Sequence, residues 1–482
     1  MSEVTLTIDG KKTKAEEGRT ILDVANSMGI DIPALCHSPL VSTFGSCRMC
    51  SVKITTKWGR ERIVTSCNYT VEDELVVETK SSEVIEIRKT LLELLLARCP
   101  NVKILQEMGE EYKVEKGRFE TEDENETCIL CGLCTRICEE RVGVSAVNFV
   151  NRGTNRAIEG PVGKSIGAKL FRECIGCGAC AYICPTGTFT LDDVYAKIRS
   201  IFPLAEVEER TFGKNRGEED TLGIYEKCYK VKSKRDDILE KSQDGGAVTT
   251  LLAYALDEGI IDSAAITTAD DDWVPKAMVA TDYDGLKAGL GTRYTYYPSG
   301  IGISEAVNRG YKDVGFVGLP CQVGSLRRVI TSNQPYSFGK EKVKLLIGLF
   351  CMNIFKQGLM DYVRDNVISL ADVKKVDIKG GKLKVFDKDG ELHTVPLKEI
   401  SDFVNKGCHA CRDYTAELAD ISIGSVGSEP GWSTVFVRTD IGKEILEGAI
   451  AKGYVEAEEI TDFSELIRLT NMKRDRAEKK GY

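Results

Sequence analysis

Apolar and polar residues alternate over residues 2–8 and again over 52–64, the period-two pattern of strands with one buried face. Between them, residues 20–28 follow the period of a short amphipathic helix, and 85–97 predicts a longer helix ending at Arg98-Cys99-Pro100. Beyond residue 220 the pattern changes character. Strand-like runs at 264–268, 313–318, 344–350 and 421–426 alternate with helical stretches at 247–256, 304–309, 323–330 and 358–366. That order predicts an α/β domain over 221–482. The first part, with short elements separated by cysteine-bearing loops, is of a different kind. The expected fold class is therefore α/β and α+β multidomain.

Eighteen cysteines punctuate the chain, and all but Cys99 and Cys228 fall into three groups with metal-cluster spacing. The strongest is the second, two copies of C-x2-C-x2-C-x3-C at Cys128, Cys131, Cys134, Cys138 and at Cys174, Cys177, Cys180, Cys184. Thiolate is the soft ligand that iron–sulfur clusters require, and the fourth cysteine of such a run ligates the neighbouring cluster. Cys128, Cys131 and Cys134 with Cys184 would hold one [4Fe–4S] cluster, and Cys174, Cys177 and Cys180 with Cys138 the other. Gly132, Gly176 and Gly178 permit the tight turns that aim N–H groups at sulfur. Zinc wants four ligands per site rather than this interleaved eight, and disulfides belong to a secreted context. The module reads as an electron carrier, a double [4Fe–4S] ferredoxin of bacterial type.

The first group, Cys36, Cys47, Cys50 and Cys67, has the spacing C-x10-C-x2-C-x16-C. It resembles the [2Fe–2S] domain of the complex I large iron–sulfur subunit and of iron-only hydrogenases, which implies a β-grasp fold. In the complex I family a histidine-ligated cluster comes next. Here neither a histidine nor companion cysteines surround Cys99, which reads as a packed thiol.

The third group is dispersed: Cys321, Cys351, Cys408 and Cys411. Residues 315–322 read as a strand running into a helix, which puts Cys321 at a helix N-terminus where the dipole favours thiolate. Cys351 follows the next strand. These four would complete a third [4Fe–4S] site, with a C-x2-C redox pair or buried inert thiols as the alternatives.

The net charge of −9 argues against nucleic acid as a partner, which needs a basic footprint. Four clusters of about −2 each add roughly −8 to it. The start runs straight into a strand without a basic stretch and apolar core, and no apolar run is long enough for a bilayer, so a cytoplasmic protein is expected. The segments follow: 1–80 for the [2Fe–2S] domain, 81–125 a helical connector, 126–192 the paired-cluster module, 193–220 a polar connector, and 221–482 the α/β domain.

Within that last domain, Ser242, Gln243, Asp244, Gly245 and Gly246 form a polar turn directly before a helix, where exposed N–H groups favour a pyrophosphate. A plain helix cap is the rival reading. Gly424, Gly427 and Gly431 surround a strand exit that a cofactor can approach, or an ordinary turn. Gly300-Ile301-Gly302 follows Pro298 rather than a strand and lacks a third glycine, so it is no dinucleotide fingerprint. Lys230, Lys232, Lys234, Arg235, Arg293, Arg327 and Arg328 offer charge to an anionic coenzyme, with a solvated loop as the rival reading of the first four. His37, His393 and His409 have no hydrolase constellation around them, and no catalytic side chain is expected beyond the chemistry of a bound cofactor.

Residues 242–249, 318–322, 347–351 and 408–427, in that order, are similar to the signature segments of the coenzyme F420 hydrogenase/dehydrogenase β subunit family. The resemblance implies a bound FAD, a [4Fe–4S] cluster on Cys321, Cys351, Cys408 and Cys411, and two-electron exchange with reduced coenzyme F420 as substrate. The [2Fe–2S] domain departs from the simplest members. The expected protein is a flavin and iron–sulfur oxidoreductase subunit with one [2Fe–2S] and three [4Fe–4S] clusters. Its partner would be a larger redox complex, with subunits of heterodisulfide reductase, hydrogenase or formate dehydrogenase type, or ferredoxin. The alternatives are a ferredoxin-linked reductase of another organic substrate and an electron-wiring subunit without a substrate of its own.

Overall fold

A computed structural model describes residues 2–114, 118–160, 174–333 and 339–479. The stretch 161–173, inside the expected paired-cluster module, lies outside the described residues. Two compact units emerge, one holding the described residues of 1–141, 147–165 and 183–189, the other those of 142–146, 166–182 and 190–482. The segment 126–192 contributes to both.

The first unit is built on a mixed sheet in the order β2-β1-β5-β3-β4, from β1 Glu3–Ile8, β2 Lys11–Glu16, β3 Ser51–Thr55, β4 Glu61–Thr65 and β5 Leu75–Glu78. Alternation puts Leu6, Ile8, Val52, Ile54, Leu75 and Val77 on one face, where Ile21, Leu22, Val24 and Ala25 of the helix Ile21–Ser27 cover them. Thr20 and Asp23 cap that helix reciprocally. The alternation over 52–64 is two strands rather than one. Gly59, at φ 74°, turns the chain between β3 and β4 and leaves Trp58 at the exposed tip.

The helix Ser82–Arg98 is anchored by the fully buried Arg88, whose guanidinium donates to the carbonyls of Met49 at 3.1 Å and Ser51 at 2.9 Å. A small hairpin, β6 Asn148–Val150 and β7 Ala157–Glu159, completes this unit.

The second unit centres on an eight-stranded sheet, β10-β9-β11-β12-β16-β17-β8-β18. Its strands are β8 Lys227–Ser233, β9 Ser263–Ala269, β10 Pro275–Ala280, β11 Val314–Gly318, β12 Val343–Leu349, β16 Ile421–Gly424, β17 Ser433–Val437 and β18 Val455–Glu459. The four from β9 to β16 are parallel; β10, β17, β8 and β18 join antiparallel. A separate antiparallel sheet of β13 Val373–Lys379, β14 Lys382–Asp387 and β15 Leu392–Pro396 packs its own core with Leu359 and Val363 of the helix Gly358–Asn366.

The expected polar connector 193–220 carries two helices, Leu191–Ile201 and Leu204–Phe212. The first starts at a capping box of Thr190 and Asp193, a local signal that outweighs the segment's polarity. Among the described residues no helix is long and apolar enough to cross a membrane.

Candidate functional site

In the first unit the hairpin of β3 and β4 does the positioning. Ser51 pairs with Thr65, so Cys50 just before β3 and Cys67 just after β4 emerge at the same end, with the Ser66 N–H donating to the Cys50 carbonyl at 3.0 Å. Cys36 and Cys47 come from the loop after the helix Ile21–Ser27, and the Cys47 N–H donates to Cys36 Sγ at 3.4 Å. Each pair shares a hydrogen bond, which holds Cys36 and Cys50 below the ordinary thiol range and Cys47 and Cys67 above it. All four buried thiols thus feel one another, an arrangement that favours exchange of protons for metal.

Cys128, Cys131, Cys134 and Cys184 lie in the same unit, near enough to act on one another's thiols. Burial raises the Cys134 thiol first, and Cys131, Cys184 and Cys128 add to it. Gly132, at φ 70°, turns the loop into the short helix Leu133–Arg136, and the Leu130 N–H donates to Cys128 Sγ at 3.4 Å. Cys138 also lies in this unit, whereas Cys174, Cys177 and Cys180 lie in the other. There Gly176 and Gly178 hold positive φ, and the Gly176 N–H donates to Cys174 Sγ at 3.4 Å.

Arg136 escaped the sequence reading. It is buried and donates to the carbonyls of Cys36 at 2.8 Å, Gly132 at 3.2 Å and Cys131 at 3.4 Å, and to that of Ser42. One guanidinium thereby ties the ligand loop of the first cysteine group to that of the second.

The third group is assembled by sheet topology. β11 and β12 are adjacent and parallel, so Cys321 and Cys351, each just beyond a carboxyl end, share one edge of the sheet. The loop bearing Cys408 and Cys411 folds back over β12, with the Cys351 N–H donating to the Tyr414 carbonyl at 2.9 Å. A side chain at Gly348 would strike Ala416, so only glycine admits this crossing. All four cysteines line one cavity with Tyr195, Tyr296 and Lys473.

Burial pushes the Cys321 thiol far up and the Cys351 thiol up to about 12, the opposite of the dipole-stabilised thiolate expected at residue 321. Desolvation among neighbouring thiols outweighs the helix end. Lys473 answers it. Burial alone would lower its ammonium, but Cys411, Cys351 and Asp413 raise it, and it donates to the carbonyls of Cys351 at 2.5 Å and Asp413 at 2.6 Å. The sequence signal was a lysine in the buried stripe Leu466, Thr470, Lys473, Ala477 of the helix Ser464–Lys479.

The remaining thiols differ. Cys99 and Cys228 are buried in apolar surroundings that push each up to about 12. Asp387, Glu391 and His393 approach one another on the turn of β14 and β15, with His393 Nε2 3.4 Å from Asp387. Sequence reading found no grouping there.

For a flavin, the turn at 242–246 gives a mixed result. Gly245 packs directly against the backbone of Val231 and Ser433, and Gly246 takes φ 70° before the helix Ala247–Asp257, so both glycines have steric duties. Gly424 lies under the Phe350 ring and Gly427 takes φ 97° beside Leu466, also steric. The polar side chains fit a ligand better. Gln243 Oε1 and Arg293 Nε are buried without a hydrogen-bond partner, and Lys375 Nζ lies 3.0 Å from the Gln243 carbonyl.

Four family descriptions match along the chain. "2Fe-2S iron-sulfur cluster binding domain" covers residues 1–82 and "4Fe-4S dicluster domain" 127–188. The amino-terminal part of "Coenzyme F420 hydrogenase/dehydrogenase, beta subunit" covers 228–300, and its carboxy-terminal part 311–463. Coenzyme F420 hydrogenase subunit beta of Methanothermobacter thermautotrophicus is 40% identical over 266 residues, 54% of this chain and 94% of that protein. The chain belongs to the coenzyme F420 hydrogenase/dehydrogenase β subunit family. Coenzyme F420-dependent sulfite reductase of Methanocaldococcus jannaschii is 33% identical over 323 residues, 64% of this chain and 50% of the relative. A chain in a solved structure of the F420-reducing [NiFe] hydrogenase complex from Methanosarcina barkeri is 38% identical, with a TM-score of 0.52, and the match covers 55% of this chain and 94% of that one. As a member of this family with two ferredoxin-type segments, the protein is an F420-related iron–sulfur oxidoreductase subunit.

Proposed function

We propose that this subunit exchanges two electrons with coenzyme F420 at a bound FAD and passes single electrons through one [2Fe–2S] and three [4Fe–4S] clusters to a partner enzyme or ferredoxin. The observation that carries the reading is the meeting of Cys321, Cys351, Cys408 and Cys411 around one cavity beside the buried Lys473. FAD would supply the conversion between hydride pairs and single electrons, which is why it belongs beside a cluster.

The chain's own residues would do the rest. Gln243, Arg293 and Lys375 would hold the flavin, with the helix Ala247–Asp257 offering its N-terminal N–H groups to the pyrophosphate. Lys473 offsets thiolate charge, and Arg136 joins two ligand loops. Cys138 would complete the set of Cys174, Cys177 and Cys180, and the mixed sheet with its covering helix is read as a β-grasp.

Reduced coenzyme F420, NADH and NADPH, each mixed anaerobically with the protein and a viologen acceptor, decide the substrate. Flavin bleaching by the deazaflavin alone, weakened by salt, is the expected result. Bleaching by a nicotinamide instead defeats the assignment, and no response with FAD present points to an electron-wiring subunit. Iron analysis should give about fourteen irons per chain.

A further inference from the structure

Two buried phenols stand between cysteine groups. The hydroxyl oxygens of Tyr195 and Tyr296 are 3.0 Å apart, and Tyr296 donates to the carbonyl of Cys177 at 2.9 Å. Tyr195 and Cys321 line the same cavity and pack against each other, which brings the phenol to the side of the thiol. Gln322, the residue after Cys321, donates to the carbonyl of the neighbouring Tyr297 at 2.6 Å. A row of hydrogen bonds therefore runs from the Tyr195 phenol, beside a cysteine of the third group, to the backbone of Cys177. Tyr195 stands in the expected connector, for which the sequence suggested no role.

Counting hydrogens gives the row a direction. Each phenol has one, and a carbonyl can only accept, so that of Tyr296 is committed to Cys177. The single hydrogen of Tyr195 can go to the Tyr296 oxygen at 3.0 Å or turn to the neighbouring sulfur of Cys321. A protonated Cys321 can donate its own hydrogen into the row. A metal-bound sulfur has none and can only accept. Tyr195 then turns to the sulfur.

We propose that Tyr195 is a positioning residue that sets the reduction potential of the iron–sulfur site at Cys321 by donating its hydroxyl hydrogen to that sulfur, with Tyr296 as the competing acceptor. Hydrogen bonds to cluster sulfurs are among the terms that set such potentials, and a donor favours the more negative, reduced state. Through Tyr296 the same row reaches the Cys177 loop, so the Cys321 site is coupled to a second ligand segment. This rests on the reading of Cys321, Cys351, Cys408 and Cys411 as cluster ligands.

The test uses the full-length protein with its clusters loaded anaerobically, and compares Tyr195→Phe, Tyr296→Phe and the double variant. Both rings are packed, and phenylalanine keeps the ring. Potentiometric titration followed by electron paramagnetic resonance should show the midpoint of the Cys321 site lowered in Tyr195→Phe. The expected size is about tenfold in the one-electron equilibrium, about 59 mV. Tyr296→Phe, which removes the competitor, should not lower it, and the double variant should match Tyr195→Phe. A merely structural role would move both single variants alike, which would overturn the proposal.

Should a variant fail to load, the wild type still decides. Pulsed resonance in deuterated buffer should detect an exchangeable deuteron coupled to this cluster, and its absence overturns the proposal. Iron analysis separates the two levels: no iron at the Cys321 site defeats the ligand reading and this inference with it, whereas a loaded site with unmoved potential in Tyr195→Phe defeats this inference alone.

Discussion

Arg136 in the first unit and Lys473 in the second are both buried cations among cysteine loops, yet they work in different ways. Arg136 spreads a planar fork over four carbonyls from two cysteine groups, a task set by shape. Lys473 brings a compact charge to two carbonyls of one group, where the sulfurs themselves raise its affinity for a proton. Paired thiol sets thus need a brace between loops. An isolated, deeply buried set needs counter-charge, because four thiolates in a low-dielectric cavity repel one another and lose their water.

The largest test of that contrast is Lys473→Met, nearly isosteric and uncharged. Without the cation the third group should no longer hold its cluster, so anaerobic iron content should fall by about four. An unchanged count would mean that burial of the thiols needs no counter-charge.

Next in size, Arg136→Ala should destabilise the first unit by about 3 kcal/mol, since it strands buried carbonyls. Denaturant unfolding followed by N-terminal cluster absorbance measures this. Arg136→Lys should recover little of the loss; full recovery would reduce the brace to a point charge and erase the distinction.

The smallest effect is reserved for the two thiols that neither cation serves. Cys99→Ala and Cys228→Ala should leave iron content unchanged and cost about 1 kcal/mol of stability each. A loss of iron in either variant would enlarge the ligand set.

Local signals were readable where spacing alone fixes chemistry. The convergence of Cys184 with Cys128, Cys131 and Cys134 follows from an interleaved repeat, and the strand-to-helix step before Cys321 follows from a change of period. The helix stripe signals only that Lys473 faces inward; its role was not readable because it depends on contacts with Cys351 and Asp413, far away in sequence. The burial of Cys321, which reverses the expected thiolate preference, is likewise a product of tertiary packing. The glycines of 242–246 matched a cofactor turn in sequence, but Gly245 is held by the backbone of Val231 and Ser433, contacts that no local pattern reveals. The run 52–64 misled as one strand because its turn interrupts the alternation without ending it.

The chain passes from one compact unit to the other and back several times between residues 141 and 190. A protease cut, or a gene boundary, placed anywhere within 147–182 would leave each fragment holding portions of both units. The cysteine-rich segment thus gives residues to both units. Recombination that swapped it as a block would have to keep both flanks compatible, whereas joints before residue 127 or after residue 190 leave that stitching intact.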